Sequence, residues 1–536
     1  RQDGAVMTKV ALYDSTLRDG SQGEGLSFSV EDKLKIVRAL DELGVSYIEA
    51  GNPASNAKDR EFFARTGELS LHHASLVAFG STRRREMKAE EDKNLVELAD
   101  TPVKLVAVFG KSWAFQVTEI LHTSKEENLR MVSDSIKYLK SRGHEVFFDA
   151  EHFFDGYAAE KAYALATLKV AFDAGASALV LCETRGGRLP QEVASAVKEV
   201  CGMFPIPVGI HTHDDAGLAV ACSLAAVEAG ASQVQGTLLG FGERCGNANL
   251  ATIAADLTLK MGCDCLNWQP LSRLTPTCRK VSEICNIRLS HSAPYVGQSA
   301  FAHKGGMHID GVMKNPVTYE HVDPSLVGNE RRLLMSEVAG RALMLERIGK
   351  IVPNLHKDDP QTIALVEKLK EMEAIGYQFE GAEASFDLVI RRMLRSYRPY
   401  FLLVHYQTIG SLPHADPHGE VSHAAVVKVT VGGESNITAA EGQGPVNALD
   451  KALRKVLEPF YPSLRDVHLT DYKVRVLSAS EATASKVRVL IESTDGKSSW
   501  STIGVSYDII EASWLALVDS IEYRLIADGV ASREGV

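Results

Sequence analysis

The chain has 536 residues, of which 45% are hydrophobic and 24% charged, and a net charge of −11 at pH 7. That length predicts roughly two to four domains rather than one, and the composition is that of a globular chain, not a disordered one. The acidic balance excludes the basic face of a nucleic-acid binder, and no apolar run reaches the roughly 20 residues needed to cross a bilayer.

The N-terminal text RQDGAVMTKV has no apolar signal-peptide core. Residues 1–6 read as an upstream extension ahead of Met7, and a cytoplasmic location is expected. Eight short apolar runs follow: Val10–Tyr13, Val45–Ile48, Ala74–Phe79, Val103–Val108, Glu145–Phe148, Ala178–Leu181, Pro207–Ile210 and Gln233–Gly236. Amphipathic stretches separate them, among them Val30–Leu43 behind the N-cap Ser29, then Glu126–Lys140, Glu160–Ala174, Gln191–Cys201 and Ala216–Ala229. Gly44, Gly143, Gly175 and Gly230 stand where left-handed C-caps are expected. Eight βα units in this length predict an α/β fold, a (β/α)8 TIM barrel over residues 7–275. An open doubly wound sheet is the alternative, but LRDGSQGEG lacks the GxGxxG spacing.

From 276 to 395 the alternation stops, and a mostly helical linker with a lid-like, Gly/His-rich insert is expected. From 396 to 536 the chain reads as an α+β domain. Its strands are His423–Val431, Val467–Val476, Ser485–Glu492 and Ser499–Gly504, and its helices Val446–Leu457 and Ile509–Leu525. EGQGPVNALDKALRKVL and TIGVSYDIIEASWLALVDSI form a weak internal repeat, which predicts two similar units. The eight cysteines all lie between Cys182 and Cys285 without a CxxC pair. They read as reduced, packed thiols rather than a disulfide framework or a zinc knuckle.

In a barrel, reactive groups collect at the C-terminal strand ends. Those positions hold Asp14, Arg18, Asp19 and Gln22, then Glu49, then Asp149, Glu151 and His152, then Glu183 and Thr184. After the seventh strand come His211, His213 and Asp214, and after the eighth Glu243, Arg244 and Asn247. His211 and His213 are two apart on a strand and so face the same side. Two adjacent imidazoles with a carboxylate such as Asp19, and Asn247 for a further oxygen, suit Mg, Mn, Zn or Fe(II). The alternative is a pair of histidines held by backbone bonds at the rim. Arg18 either stabilises an oxyanion or forms an ion pair with Glu49 or Glu243. Glu151 is a candidate base or a surface carboxylate, and Thr184 a substrate donor or a turn cap. His308 and Asp310 enter a site as a lid or decorate a loop.

LYDSTLRDGSQGEG, HTHDDAGLA and GFGERCGNANL, with FAHKGGMHIDGVMKNPVTYE downstream, resemble the LeuA-like family of acyl-CoA Claisen condensing enzymes. GVSYDIIEASWLALVDSIEYRL resembles that family's regulatory domain, so the likeness spans nearly the whole chain. It implies that acetyl-CoA is deprotonated at its methyl group, that the enolate attacks the keto carbon of a metal-held 2-oxo acid, and that thioester hydrolysis releases CoA. LRDGSQGEGLSFSVEDKL, FGKSW and FFDAEHFFDGY are most similar to members that take pyruvate towards isoleucine. The family's metal positions fall on Asp19, His211, His213 and Asn247, with Mg or Mn expected before Zn. Its charge-stabilising arginine falls on Arg18, its base on Glu151 and its carboxylate-binding hydroxyl on Thr184, with Gln22 in the same site. His308, Asp310 and Tyr319 match an insert that reaches the partner subunit's active site, which implies a homodimer, and the C-terminal domain implies feedback by isoleucine. Glu183 and Arg185 stand where the family usually reads Asp and Asn, and Ala114 and Gln116 where it often reads Asp and His. Other oxo acids, giving 2-isopropylmalate or homocitrate, are therefore the nearest alternative. Behind them stand a lyase or aldolase of this barrel class, an Fe(II) oxygenase and a non-enzymatic sensor.

Overall fold

The computed structural model describes residues 8–287, 289–334, 348–349, 351, 359–379, 381–394, 397–411, 422–477 and 485–533. The expected extension at residues 1–6 lies outside them. Two compact units emerge, one running to Phe301 with Glu320–Arg331, the other holding Ala302–Tyr319 and the chain from Arg332.

The first unit is a closed barrel of eight parallel strands in sequence order. They are β1 (Ala11–Asp14), β2 (Tyr47–Gly51), β3 (Ser75–Ser81), β4 (Leu105–Lys111), β5 (Glu145–Glu151), β6 (Ala178–Glu183), β7 (Val208–Thr212) and β8 (Gln233–Gly236). Their continuous apolar text is that of strands covered on both faces. Tyr13, Val77, Leu105, Ala107, Phe147 and Ala178 pack together as one buried cluster. Leu12, Ile48, Val106, Val108 and Val146 belong to a second, larger cluster with the surrounding helices. Helix Val30–Leu43 begins with a capping box between Ser29 and Asp32. Gly44, Gly143, Gly175 and Gly230 all take positive φ, between 92° and 115°.

One helix differs from expectation. It starts at Phe153 rather than Glu160, and Glu160 itself breaks the helical geometry at φ −150°, ψ 77°. The periodic text restarts at that break, so only its second segment was visible. The first segment lies close against the chain after β4: a Cβ on Gly156 would stand 2.0 Å from the Ser112 carbonyl oxygen.

In the second unit β9 (Ala302–His303) pairs in parallel with β10 (Arg332–Leu333), and helices Gly306–Lys314, Pro360–Ala374 and Glu383–Met393 are described. The C-terminal part is a βββα unit made twice. β11 (Leu402–Ser411), β12 (Ser422–Val431) and β13 (Glu434–Gly442) precede helix Pro445–Leu457. β14 (His468–Val476), β15 (Val487–Thr494) and β16 (Ser499–Ser506) precede helix Ile509–Ala527. The repeat seen in the sequence is therefore structural. β11 and β13 were not anticipated, since no residue of β13 is fully buried and the hydrophobic core contact falls to β12. No described helix is long and apolar enough to cross a membrane.

Candidate active site

The strand ends of the barrel enclose a cavity of about 230 Å³. Arg18, Asp19, Gln22, Glu151, Thr184, His211 and His213 all line it, so seven of the expected site residues meet. His211 and the residue two on, His213, turn Nε2 towards each other at 3.3 Å. Asp19 Oδ2 stands 3.3 Å from His211 Nε2 and 3.9 Å from His213 Nε2. Ligands about 2.1 Å from a shared ion stand about 3–3.5 Å apart; two of the three spacings fall in that range and the third, 3.9 Å, lies just beyond it, so the three atoms are placed to share one ion. All three residues are buried. Burial raises the Asp19 carboxyl, but the Arg18 guanidinium and His211 outweigh it and hold it well below the usual range. Burial, then the neighbouring His211, push the His213 imidazole down to about 4, which keeps it a neutral ligand near pH 7.

Asn247 sits across from His213 in an isolated antiparallel bridge. Its Nδ2 donates to the Phe241 carbonyl oxygen at 3.1 Å, while its Oδ1 is buried without a hydrogen-bond partner. An unsatisfied buried oxygen is costly, and an amide oxygen on the residue bridged to His213 is of the type that suits a hard divalent cation. The loop that carries Asn247 needs glycine: at Gly246 φ is 94°, and a Cβ would stand 2.0 Å from the Gly240 carbonyl oxygen. The triad and Asn247 thus fit a divalent cation with mixed N and O ligands.

Arg18 is clamped. Its Nε donates to Glu49 Oε2 at 2.6 Å, and Nη1 lies 3.5 Å from Asp19 Oδ1. Glu49 is wholly buried and also accepts from Tyr13 at 2.6 Å and Ser15 at 2.5 Å. The guanidinium carbon stands 3.8 Å from the Phe79 ring centroid, and Phe79 stacks on Phe109. So the ion pair with Glu49 and a place on the cavity wall are both realised. Glu151 ends β5 on the cavity and pairs with Lys111. Thr184 Oγ1 accepts from the His152 amide at 2.9 Å, which leaves its own proton to donate. Arg244 crosses the rim with a bidentate pair to Asp215.

His308, Asp310 and Tyr319 belong to the second unit. There the His308 and Tyr319 rings stack with centroids 4.2 Å apart, and Lys314 donates to Asp310 at 2.7 Å. The four departures from the family text, Ala114, Gln116, Glu183 and Arg185, are not among the cavity's lining residues. Arg185 instead faces Asp155 at 3.5 Å, alongside Arg188. Sequence reasoning missed Phe79, Phe109, Gln233 and Gln235. The available signal was two glutamines at a spacing of two on a strand too buried to leave an amide unpaired.

Residues 9–278 match the HMGL-like family model, 295–376 the homocitrate synthase post-HMGL domain-like model and 380–525 the LeuA allosteric (dimerisation) domain. Over 521 residues the chain is 50% identical to an (R)-citramalate synthase of Geobacter sulfurreducens, covering 97% of this chain and 98% of the relative. It is 48% identical to an (R)-citramalate synthase of Synechocystis, covering 99% of each. The chain belongs to the (R)-citramalate synthase family. A probable 2-isopropylmalate synthase of Archaeoglobus fulgidus is 30% identical, covering 97% of this chain and 98% of the relative. Membership places the Asp19–His211–His213 triad in an acyl-CoA condensing enzyme.

Proposed function

We propose that the protein condenses acetyl-CoA with pyruvate and water to (R)-citramalate and CoA, on the route to isoleucine. The observation that carries this reading is the convergence of the Asp19–His211–His213 triad with Arg18, Glu151 and Thr184 on one cavity. Asp19, His211, His213 and Asn247 would hold a divalent cation, Mg or Mn before Zn, which when bound would supply Lewis acidity towards a 2-oxo acid. Thr184 donates its hydroxyl proton to the carboxylate of that acid, and Gln22 lines the same wall. Glu151, steadied by Lys111, removes the methyl proton of acetyl-CoA. Arg18, fixed by Glu49 and Phe79, faces the oxygen on which negative charge grows. The Phe79–Phe109 stack narrows the cavity, which favours the methyl group of pyruvate over a branched side chain.

CoA release tests this, with pyruvate, 2-oxobutyrate, 2-oxoisovalerate and 2-oxoglutarate in parallel, before and after metal removal. Metal-dependent release with pyruvate preferred is expected. Preference for 2-oxoisovalerate or 2-oxoglutarate would replace the substrate, and no release with any of them would refute the chemistry.

The same reading assigns residues 7–275 to the chemistry, 276–395 to a linker and lid, and 396–536 to feedback by isoleucine. The LeuA allosteric (dimerisation) match supports regulation of an oligomer. The oligomer is a cytoplasmic homodimer in which His308, Asp310 and Tyr319 serve the partner's site. Mixing Asp19→Ala with His308→Ala chains should restore activity, and no recovery counts against donation in trans. Isoleucine inhibition should vanish when residues 396–536 are removed.

A further inference from the structure

The imidazole of His211 is held from behind. Gln235 Oε1 lies 3.0 Å from its Nδ1. Gln235 is wholly buried on β8, and its Nε2 donates to Gln233 Oε1, two residues earlier on the same strand, at 3.3 Å. Gly209 on β7 leaves the space for this amide row, because a Cβ there would stand 2.8 Å from Gln233 Oε1.

A primary amide has a donor end and an acceptor end. An acceptor, Gln233 Oε1, sits at the donor end of Gln235. Its acceptor end must therefore face His211. The imidazole then carries its proton on Nδ1 and turns the Nε2 lone pair towards Asp19 and His213. A flipped amide would present N–H to Nδ1, force the proton onto Nε2 and close the ligand position.

We propose that Gln235, oriented by Gln233, is the positioning residue that fixes the tautomer of His211 and sets the cation affinity of the triad. The proposal rests on the reading of the triad as a metal site. The partner is a neutral amide where many metal-bound histidines have a carboxylate. Gln235→Glu therefore keeps the acceptor, whereas Gln235→Met removes it at similar volume.

The test is calorimetric titration of the metal-stripped full-length protein with Mn²⁺ and with Zn²⁺. Gln235→Met should weaken binding about 10–100-fold, and Gln235→Glu should stay within about threefold of the parent or bind more tightly. Parent-like affinity in Gln235→Met overturns the proposal, as does equal weakening in both variants, and either result leaves the triad reading intact. A parent protein that binds neither cation overturns both. Nitrogen-15 spectra of the metal-free parent keep the question open to refutation if Gln235→Met fails to fold. The histidine signal absent from a His211→Asn variant should report an Nδ1–H tautomer, and an Nε2–H tautomer overturns the proposal.

Discussion

Two arginines in this chain each face a pair of carboxylates, and they differ in what lies on the other side. Arg18, at the end of the first barrel strand, holds Glu49 and Asp19 and leaves one edge on a cavity lined by two histidines. Arg392, on helix Glu383–Met393 of the second unit, holds Asp519 at 2.6 Å and Glu522 at 2.8 Å on helix Ile509–Ala527. There Ser385 completes the cluster, donating to Asp519 at 2.6 Å and accepting from the Ile503 amide at 2.9 Å. Both clusters bury their carboxylates. The first lines the cavity of about 230 Å³ in which new charge could form. A buried ion pair is weak evidence for stability and none for catalysis by itself; the cavity decides between them.

Breaking the first cluster should therefore be read in rate and breaking the second in stability. Arg18→Gln is expected to slow CoA release about 10²–10³-fold, the loss seen when a single charge-stabilising donor is removed. Metal content should be unchanged, because Asp19 and both histidines remain. A loss of less than tenfold would make Arg18 a structural partner of Glu49 and nothing more. Arg392→Met leaves Asp519 and Glu522 buried without their cation, which should cost about 3 kcal/mol in a urea titration. Uninhibited turnover should stay near the parent value. If Arg392→Met instead melts like the parent and turns over slowly, the contrast drawn between the two clusters is wrong.

The barrel was legible because both faces of its strands are buried, so each strand wrote a continuous apolar run. Gln233–Gly236 was read to the residue. The edge strands β11 and β13 wrote no such run: LLVHYQTIGS and ESNITAAEG mix polar and apolar residues, and Ile437 is 56% exposed. In the site, His211 and His213 declared themselves by residue type and spacing. Phe79 and Phe109 did not, because an aromatic residue on a barrel strand reads as core until the cavity beside it is seen. The Arg392 cluster joins residues more than a hundred positions apart, and no local pattern announces such a pair.

The aromatic wall gives a smaller effect that sharpens the view of the cavity. Phe109 packs on Phe79 with centroids 5.3 Å apart and planes 15° from parallel. Phe109→Ala opens space behind Phe79 while leaving the Arg18 contact in place. The kcat/KM ratio of 2-oxoisovalerate to pyruvate should rise by about tenfold, within the range that one side-chain pocket commands. An unchanged ratio would remove this wall from the account of specificity.

A third arginine supplies the smallest and most direct test of what such a cluster contributes away from the histidine-lined cavity. Arg83 is buried beside β3 and donates to Glu127 at 2.8 Å and to Asp134 at 2.8 Å. The Arg83 hydrogen bond comes first, and Arg130 and the Glu86 amide add to it. Against the opposing effect of burial, these hold the Glu127 carboxyl down to about 2 from an ordinary 4.5. A carboxyl depressed in the folded state binds fewer protons there than in the unfolded chain. Its contribution to stability is complete above about pH 4.5 and is lost as pH falls from there towards 2. Glu127→Gln removes the titration but keeps an acceptor. It should be less stable than the parent at pH 7, and the gap should close steadily on acidification through that window, read from urea midpoints at stepped pH. A gap that stays constant would mean that Arg83 gains only a hydrogen bond from Glu127 and nothing from its charge.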